Sequence, residues 1–364
     1  LSCALNGLSG NFFGLTGEVW ALDTCGARGT IDGLSEPFET SPGDKALSVS
    51  NTLTTAKGGQ YRLCWCSSPT NNTHFSSNVC QLPSDFATDF GSLLLIGVSP
   101  LRHEHTCISG QHCFVGDISG YFLSSSDHVV VQETCGTLGD VPAWPVGHLQ
   151  EESGTLSMTW NPMSLPGGQY RLCWCHGMNI SVDFGPADGL EPWDPETNSS
   201  NSNVSTQRFE VSCELTGFRV DFGSFTLLGP SPLYQDQTCK AGEICRIEAI
   251  QGISLQPHDL LQVLDTCGVN SAVPFALPNA GLLETEAGNE SIAFSFGQEL
   301  VSSLGGEYRL CWCSALADCF NLEMFRLDIG QLTILGASPL ARDFTCTSGR
   351  SCDFVVPSPF PEDP

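Results

Sequence analysis

Nineteen cysteines are the residues of this 364-residue chain whose type and spacing could do chemistry. Six of them sit in triplets: Cys64-Trp65-Cys66, Cys173-Trp174-Cys175 and Cys311-Trp312-Cys313. Paired thiolates could hold a metal; in an oxidising compartment the same residues close structural bridges. His103-Glu104-His105 puts two imidazoles on one strand face, with His112 nearby, a second candidate metal set. The other copies of that block carry no histidine there, so a loop pair without a ligand is the plainer reading, and no metal site is assigned. Asp23, Asp127, Asp259 and Asp265 fall near expected strand ends, where they could take calcium or serve as solvated turn residues. No Gly-x-Ser-x-Gly, phosphate loop or paired carboxylate set repeats with the triplets, so no catalytic residue is assigned and the chain reads as a non-enzyme.

The elements that position the cysteines are three copies of one nine-residue stretch. These are Gly58-Gly59-Gln60-Tyr61-Arg62-Leu63-Cys64-Trp65-Cys66, its near-identical return at 167–175, and 305–313 with Glu307 in place of the glutamine. Such a return marks an array of one module. The glycine pair signals a turn, and the alternation after it signals a strand. On a strand, Tyr61, Leu63 and Trp65 share one face, and Arg62, Cys64 and Cys66 share the other. Tyrosine ahead of a cysteine-bearing strand is similar to the tyrosine corner of immunoglobulin-like domains, although it stands three residues before the first cysteine. No helical period is present. The expected fold is all-β: three tandem, disulfide-rich immunoglobulin-like sandwiches and a C-terminal donor strand.

The other cysteines keep register with the triplets. Cys3 to Cys25, Cys113 to Cys135 and Cys245 to Cys267 share one spacing, and each second member lies in Thr-Cys-Gly. Neighbouring cysteines on one strand face need separate partners. The candidates are Cys25 and Cys80 for the first triplet, Cys135 and Cys213 for the second, and Cys267 and Cys319 for the third; pairing within each foursome stays open. Short loops are expected at Cys107–Cys113, Cys239–Cys245 and Cys346–Cys352. Cys3 is left unpaired or bridged to another chain, for which Cys346 of a neighbour is the candidate.

Asp89-Phe90-Gly91, Asp221-Phe222-Gly223 and Asp328-Ile329-Gly330 read as junctions, each followed by the first strand of the next module. The expected domains are 1–91, lacking its first strand; 92–223, with a glycosylated insertion at 183–207; 224–330; and 331–364, a spare strand with a Pro-rich tail. A missing strand leaves unpaired backbone groups, and a matching strand from another chain would satisfy them. The expected polymer contacts are Gln331, Leu332, Thr333, Ile334, Leu335, Val355, Val356 and Phe360. Head-to-tail donation does not close, so it builds a filament. The competing reading is that both ends are cuts through a longer array.

Lys and Arg number 14 against 40 Asp and Glu, a net charge of -26, which disfavours nucleic acid and anionic membranes as partners. No apolar run of about 18 residues occurs, so no helical membrane span is expected. The chain starts without Met or signal peptide, as a mature product or a segment of a longer precursor would. Five sequons, at Asn71, Asn179, Asn198, Asn203 and Asn289, point with the cysteines to N-linked glycans and an extracellular place, at a cell surface or in a secreted fibre. No cofactor is expected, and calcium is left open.

Gly-Gln-Tyr-Arg-Leu-Cys-Trp-Cys at 59–66, Gly229-Pro230-Ser231-Pro232 and Thr106-Cys107-Ile108-Ser109-Gly110-Gln111-His112-Cys113 together resemble cysteine-rich repeats of large extracellular proteins of single-celled eukaryotes, dinoflagellate-like algae in particular. The resemblance covers all but the insertion. It implies secretion and a surface or matrix setting of the kind that could build glycoprotein fibrils or flagellar hairs, and it implies no activity. The expected function is a structural subunit of an extracellular glycoprotein filament whose partners are copies of itself. The alternative is an adhesin or receptor ectodomain that binds a glycan or protein ligand.

Overall fold

The computed structural model describes residues 4–6, 17–34, 37–40, 46–49, 54–67, 80–137, 147–152, 155–177, 180–183, 206–209, 213, 215–271, 273–285, 292–340 and 343–353. Among them the chain is all-β, with helical residues confined to short 3-10 turns. It divides into two compact units. Residues 1–163 with 167–228 carry the first two Tyr-Arg-Leu-Cys-Trp-Cys strands, and residues 229–364 with 164–166 carry the third.

The architecture is plainest around Gly168–Cys175, where two sheets form an immunoglobulin-type sandwich. In spatial order one sheet runs Gly147–His148, His128–Gln132, Gly168–Cys175, Val220–Pro230 and His103–Ile108. The last pairing is parallel and the others antiparallel. The second sheet runs Gln150–Glu152, Thr155–Trp160 and Cys113–Ile118. The β-branched run Val129-Val130-Val131 suits a strand packed on both faces. Val129 and Val131 share the inner face with Tyr170 and Leu172, and Trp160 meets Phe225 edge-on at 5.9 Å. Burying each such side chain contributes about 1.5–3 kcal/mol.

The alternation read from the sequence has a second consequence. The cysteine face of each central strand is also covered. Around Gly59–Ser67, Tyr61 and Leu63 join Val19, Ala21 and Phe38 in one core, while Cys64 and Cys66 join Trp20, Leu22 and Phe86 in another. Around Gly306–Cys313, Cys311 and Cys313 pack with Leu264 and Phe325, and the 3-10 turn Leu322–Met324 lies against them. After the third triplet the chain thus folds back over the sheet and is pinned there by Cys313–Cys319.

Tyr61 donates its hydroxyl hydrogen bond to the Lys57 carbonyl at 2.7 Å, and Tyr308 to that of Leu304 at 3.1 Å. Each closes the loop that enters its strand. Burial pushes the Tyr61 phenol up to about 12. The first glycine of the pair is demanded by close approach. A Cβ on Gly58 would run into the Gly97 carbonyl oxygen, and one on Gly305 into that of Gly336. Gly58 and Gly305 instead donate their N–H groups to Val98 and Ala337.

The apolar runs after Asp-Phe/Ile-Gly do not belong wholly to the following modules: their ends pair onward, Gly97–Val98 with Gly120–Tyr121 and Gly229-Pro230 with Gly252–Ile253, but their starts do not. They continue closing strands, Thr88–Leu95, Val220–Pro230 and Leu327–Leu335, each antiparallel to the central strand before it. The register slips between Leu63 and Cys64, Leu172 and Cys173, and Leu310 and Cys311, so Phe90, Phe222 and Ile329 are the extra residues of β-bulges. The motif read as a junction is a bulge inside one strand. A run of alternating apolar residues states that a strand exists and not which neighbour it pairs with. Gln331, Leu332, Thr333, Ile334 and Leu335 are therefore not spare. They lie between Gly306–Cys313 on one side and Gln237–Lys240 on the other. The boundaries set at 92, 224 and 331 cut through these strands.

The insertion at 183–207 is flanked by a two-stranded ribbon, Ile180–Asp183 with Thr206–Phe209. Cys3, the five sequon asparagines, and Val355, Val356 and Phe360 lie outside the described residues.

Candidate interaction site

Every described cysteine is bridged, so the triplets offer no thiolate to a metal. The first cysteine of each triplet takes the Thr-Cys-Gly cysteine: Cys25–Cys64, Cys135–Cys173 and Cys267–Cys311. The second takes the downstream one: Cys66–Cys80, Cys175–Cys213 and Cys313–Cys319. The short loops close as Cys107–Cys113, Cys239–Cys245 and Cys346–Cys352. The pairing left open by spacing follows from register. Trp20 lies opposite Cys64, so the turn after Gly17–Leu22 brings Cys25 back beneath that cysteine.

His103 and His105 face inward from their strand with rings stacked at 5.9 Å and planes 9° apart, and His103 packs edge-on against Phe222 at 5.6 Å. Burial holds both below the ordinary imidazole range. They wall the apolar side of a covering strand. Among the described residues no three His, Cys, Asp or Glu side chains come together as a metal-ligating set.

Two of the candidate aspartates tie turns together. Asp127 accepts N–H groups from Ser124 and Gly177 and meets His176 Nδ1 at 2.6 Å. Asp259, its counterpart, accepts from Gln256 and Ala315 and from the Ser314 hydroxyl. Both are buried, and desolvation pushes the Asp259 carboxyl up. In the first module the register places Gly17 there, against the Trp65 ring. Asp23 instead lines an open cleft of about 350 Å3 with Asp32, Lys57 and Arg102.

Cysteine spacing does not disclose a clamp that crosses each bulge. Arg62 reaches Asp89 through two hydrogen bonds of 2.7 Å, Arg171 reaches Asp221 at 2.7 and 2.9 Å, and Arg309 reaches Asp328 at 2.7 Å twice. Each Asp Oδ1 also accepts the N–H of the motif's glycine. Arg and Asp recur in every copy, and that recurrence was the available signal.

The clamps fix three closing strands in one geometry, and their outer edges differ. Val220–Pro230 is covered by His103–Ile108, with His105 opposite Phe225 and Cys107 opposite Leu227. Leu327–Leu335 is covered in the same register by Gln237–Lys240, with Gln237 opposite Leu332 and Cys239 opposite Ile334. Asp236 adds a cap, accepting the Gln331 N–H at 2.7 Å. Thr88–Leu95 has no such neighbour among the described residues. Its bulge residue Phe90 is 36% exposed, whereas Phe222 and Ile329 are 0%. The segment Asp343–Asp353 aligns with the covering strands through Thr345-Cys346, is exposed throughout, and joins no strand pairing among the described residues.

Among the described residues no helix is long and apolar enough to cross a membrane. No family model matches the sequence, and no curated protein does. Among solved structures, a mixed-linkage glucan utilization locus protein of Bacteroides ovatus, SGBP-B, bound to a mixed-linkage heptasaccharide, aligns over 88% of this chain at 9% identity and a TM-score of 0.18. An I-band fragment of titin aligns over 82% of this chain and 82% of its own at 11% identity and a TM-score of 0.18. The N-terminal four immunoglobulin domains of a Dscam1 isoform align over 92% of this chain and 69% of theirs at 9% identity and a TM-score of 0.17. The chain spans 60% of the length of the first of these. Similarity at this level says nothing of what the chain binds, and its immunoglobulin-type, disulfide-rich all-β build stands on the strand pairings above.

Proposed function

We propose that the chain is a structural subunit of an extracellular glycoprotein assembly, joined head to tail by strand addition between copies. One observation carries the reading: the outer edge of Thr88–Leu95 is open among the described residues, where both counterpart edges hold a parallel strand. An open edge presents a row of backbone donors and acceptors to another chain. The bridged cysteines fit an oxidising compartment. The acidic balance keeps subunits soluble before they join. Contact between unlike surfaces of identical copies builds a filament wherever its rotation does not close a ring.

Light scattering across a concentration series, followed by electron microscopy of the most concentrated sample, tests this. Growth into linear particles is the expected outcome. A chain that stays monomeric at the highest concentration overturns the proposal. The second reading, an adhesin or receptor ectodomain, draws on the charged cleft of Asp23, Asp32, Lys57 and Arg102. Retention of the monomeric chain on a glycan array, lost in Lys57→Ala, would favour it.

A further inference from the structure

We infer that the occupant of the open Thr88–Leu95 edge is Asp343–Thr347 of a second copy, added as a parallel strand with Phe344 opposite Leu93. The inference rests on the assembly reading above and names its joint.

The register comes from the chain's own repeats. His105 lies opposite Phe225 and Gln237 opposite Leu332; Leu93 is the residue that corresponds to Phe225 and Leu332, because Leu63, Leu172 and Leu310 face Gly91, Gly223 and Gly330. Thr106-Cys107, Thr238-Cys239 and Thr345-Cys346 then align, which sets Phe344 against Leu93, Thr345 against Leu94 and Cys346 against Leu95.

Chemistry at each position agrees. In His103–Ile108 the residues at 103, 105 and 107 turn inward and those at 104 and 106 face solvent. By that alternation Phe344 and Cys346 turn inward and Asp343 and Thr345 outward. Phe344 is 55% exposed in its own chain, an apolar side chain at the place where an inward residue is needed. Asp343 corresponds to Asp236, whose carboxylate accepts the Gln331 N–H; the matching N–H on the open edge is that of Ser92. In the covered module Gln235 and Ala241 donate to Ile329 and Leu335 at 2.7 and 2.9 Å, so alternate N–H groups of the added strand point at the closing strand, and that of Phe344 is one of them. The Cys346–Cys352 bridge closes the same short loop as Cys107–Cys113 and Cys239–Cys245. The proposed donor therefore carries the same six-residue bridged loop as both covering strands.

Two measurements on the full chain decide it. First, a photoreactive benzoylphenylalanine replaces exposed Leu94, and equal amounts of isotopically light and heavy chains are mixed before irradiation. Mixed-isotope crosslinks to residues 343–347 are expected. Crosslinks elsewhere, or only within one chain, overturn the assignment. Second, a labelled peptide spanning 341–353, with its bridge closed, is titrated onto the chain. In the peptide, Phe344→Pro removes the N–H that points at the closing strand, and it should weaken binding roughly tenfold, the loss of about one hydrogen bond. Equal binding by both peptides overturns the register. Filaments that form while the Leu94 crosslinks miss residues 343–347 sink this joint and leave head-to-tail assembly standing. A chain that never assembles yet binds the peptide at Leu94 does the reverse.

Discussion

Arg309 and Asp328 meet through two hydrogen bonds of 2.7 Å each, with the Asp328 carboxylate also holding the Gly330 N–H. The pair spans the one place where the central and closing strands lose register. A bulge leaves ladder groups without their usual partners. Here the carboxylate takes up a backbone donor and the guanidinium fixes the carboxylate. The joint recurs in each copy, so every closing strand leaves its bulge in the same register with its central strand.

Arg309→Ala should therefore destabilise its module by about 1 kcal/mol, a figure set low because both side chains are about a third exposed and water screens the pair. Arg309→Lys should recover less than half of that, since an ammonium cannot reproduce the planar fork. Chemical denaturation followed by intrinsic fluorescence measures both. Full recovery by lysine would mean that charge alone matters.

In the first module the Arg62 hydrogen bonds hold the Asp89 carboxyl below its ordinary range. A depressed folded-state value contributes stability above the unfolded value, near 3.9, and that contribution is lost as pH falls through the folded one. Carboxyl NMR should show Asp89 titrating below its free value in the wild type and close to it in Arg62→Ala. An unshifted Asp89 in the wild type would remove the clamp from the account.

What the sequence made legible follows from what repeats. Period-two alternation in Tyr61 to Cys66 announced the strand and its two faces, and the cysteine register narrowed each bridge to a foursome. Pairing order was hidden because Cys25 and Cys80 both lie in reach of one strand face; only the turn after Leu22 separates them. The partners of the closing strands are hidden for a related reason. Ser92 to Leu95 has the pattern of any half-buried strand, and the partner that gives it meaning lies about thirty residues earlier. Gln331–Leu335 reads equally well as a spare strand, and what excludes that is its pairing on both sides, with Gly306–Cys313 and with Gln237–Lys240.

The two kinds of triplet bridge should differ in worth. Cys267–Cys311 closes a separation of 44 residues and Cys313–Cys319 one of 6. Loop-closure entropy gives about 4 kcal/mol for the longer and about 2 kcal/mol for the shorter. Double alanine variants of each pair, compared by urea denaturation, should keep that order. The reverse order would mean that the short bridge acts by pinning the segment over the sheet, through packing against Phe325, more than by limiting the unfolded chain.

Gly305 supplies the last test, because its role is contact and not turn conformation. Its N–H donates to Ala337 at 3.1 Å, and a Cβ would strike the Gly336 carbonyl oxygen, a backbone atom that cannot rotate aside. Gly305→Ala must push the entry loop off the closing strand, at a cost of about 1–3 kcal/mol. Tyr308→Phe loosens the same corner by a different route. It deletes the hydroxyl donor to Leu304 while keeping the ring, and so should cost about 1 kcal/mol. The two changes share one loop, so the double variant should lose less than the sum of the singles. Strict additivity would show that the glycine contact and the tyrosine bond hold the corner independently.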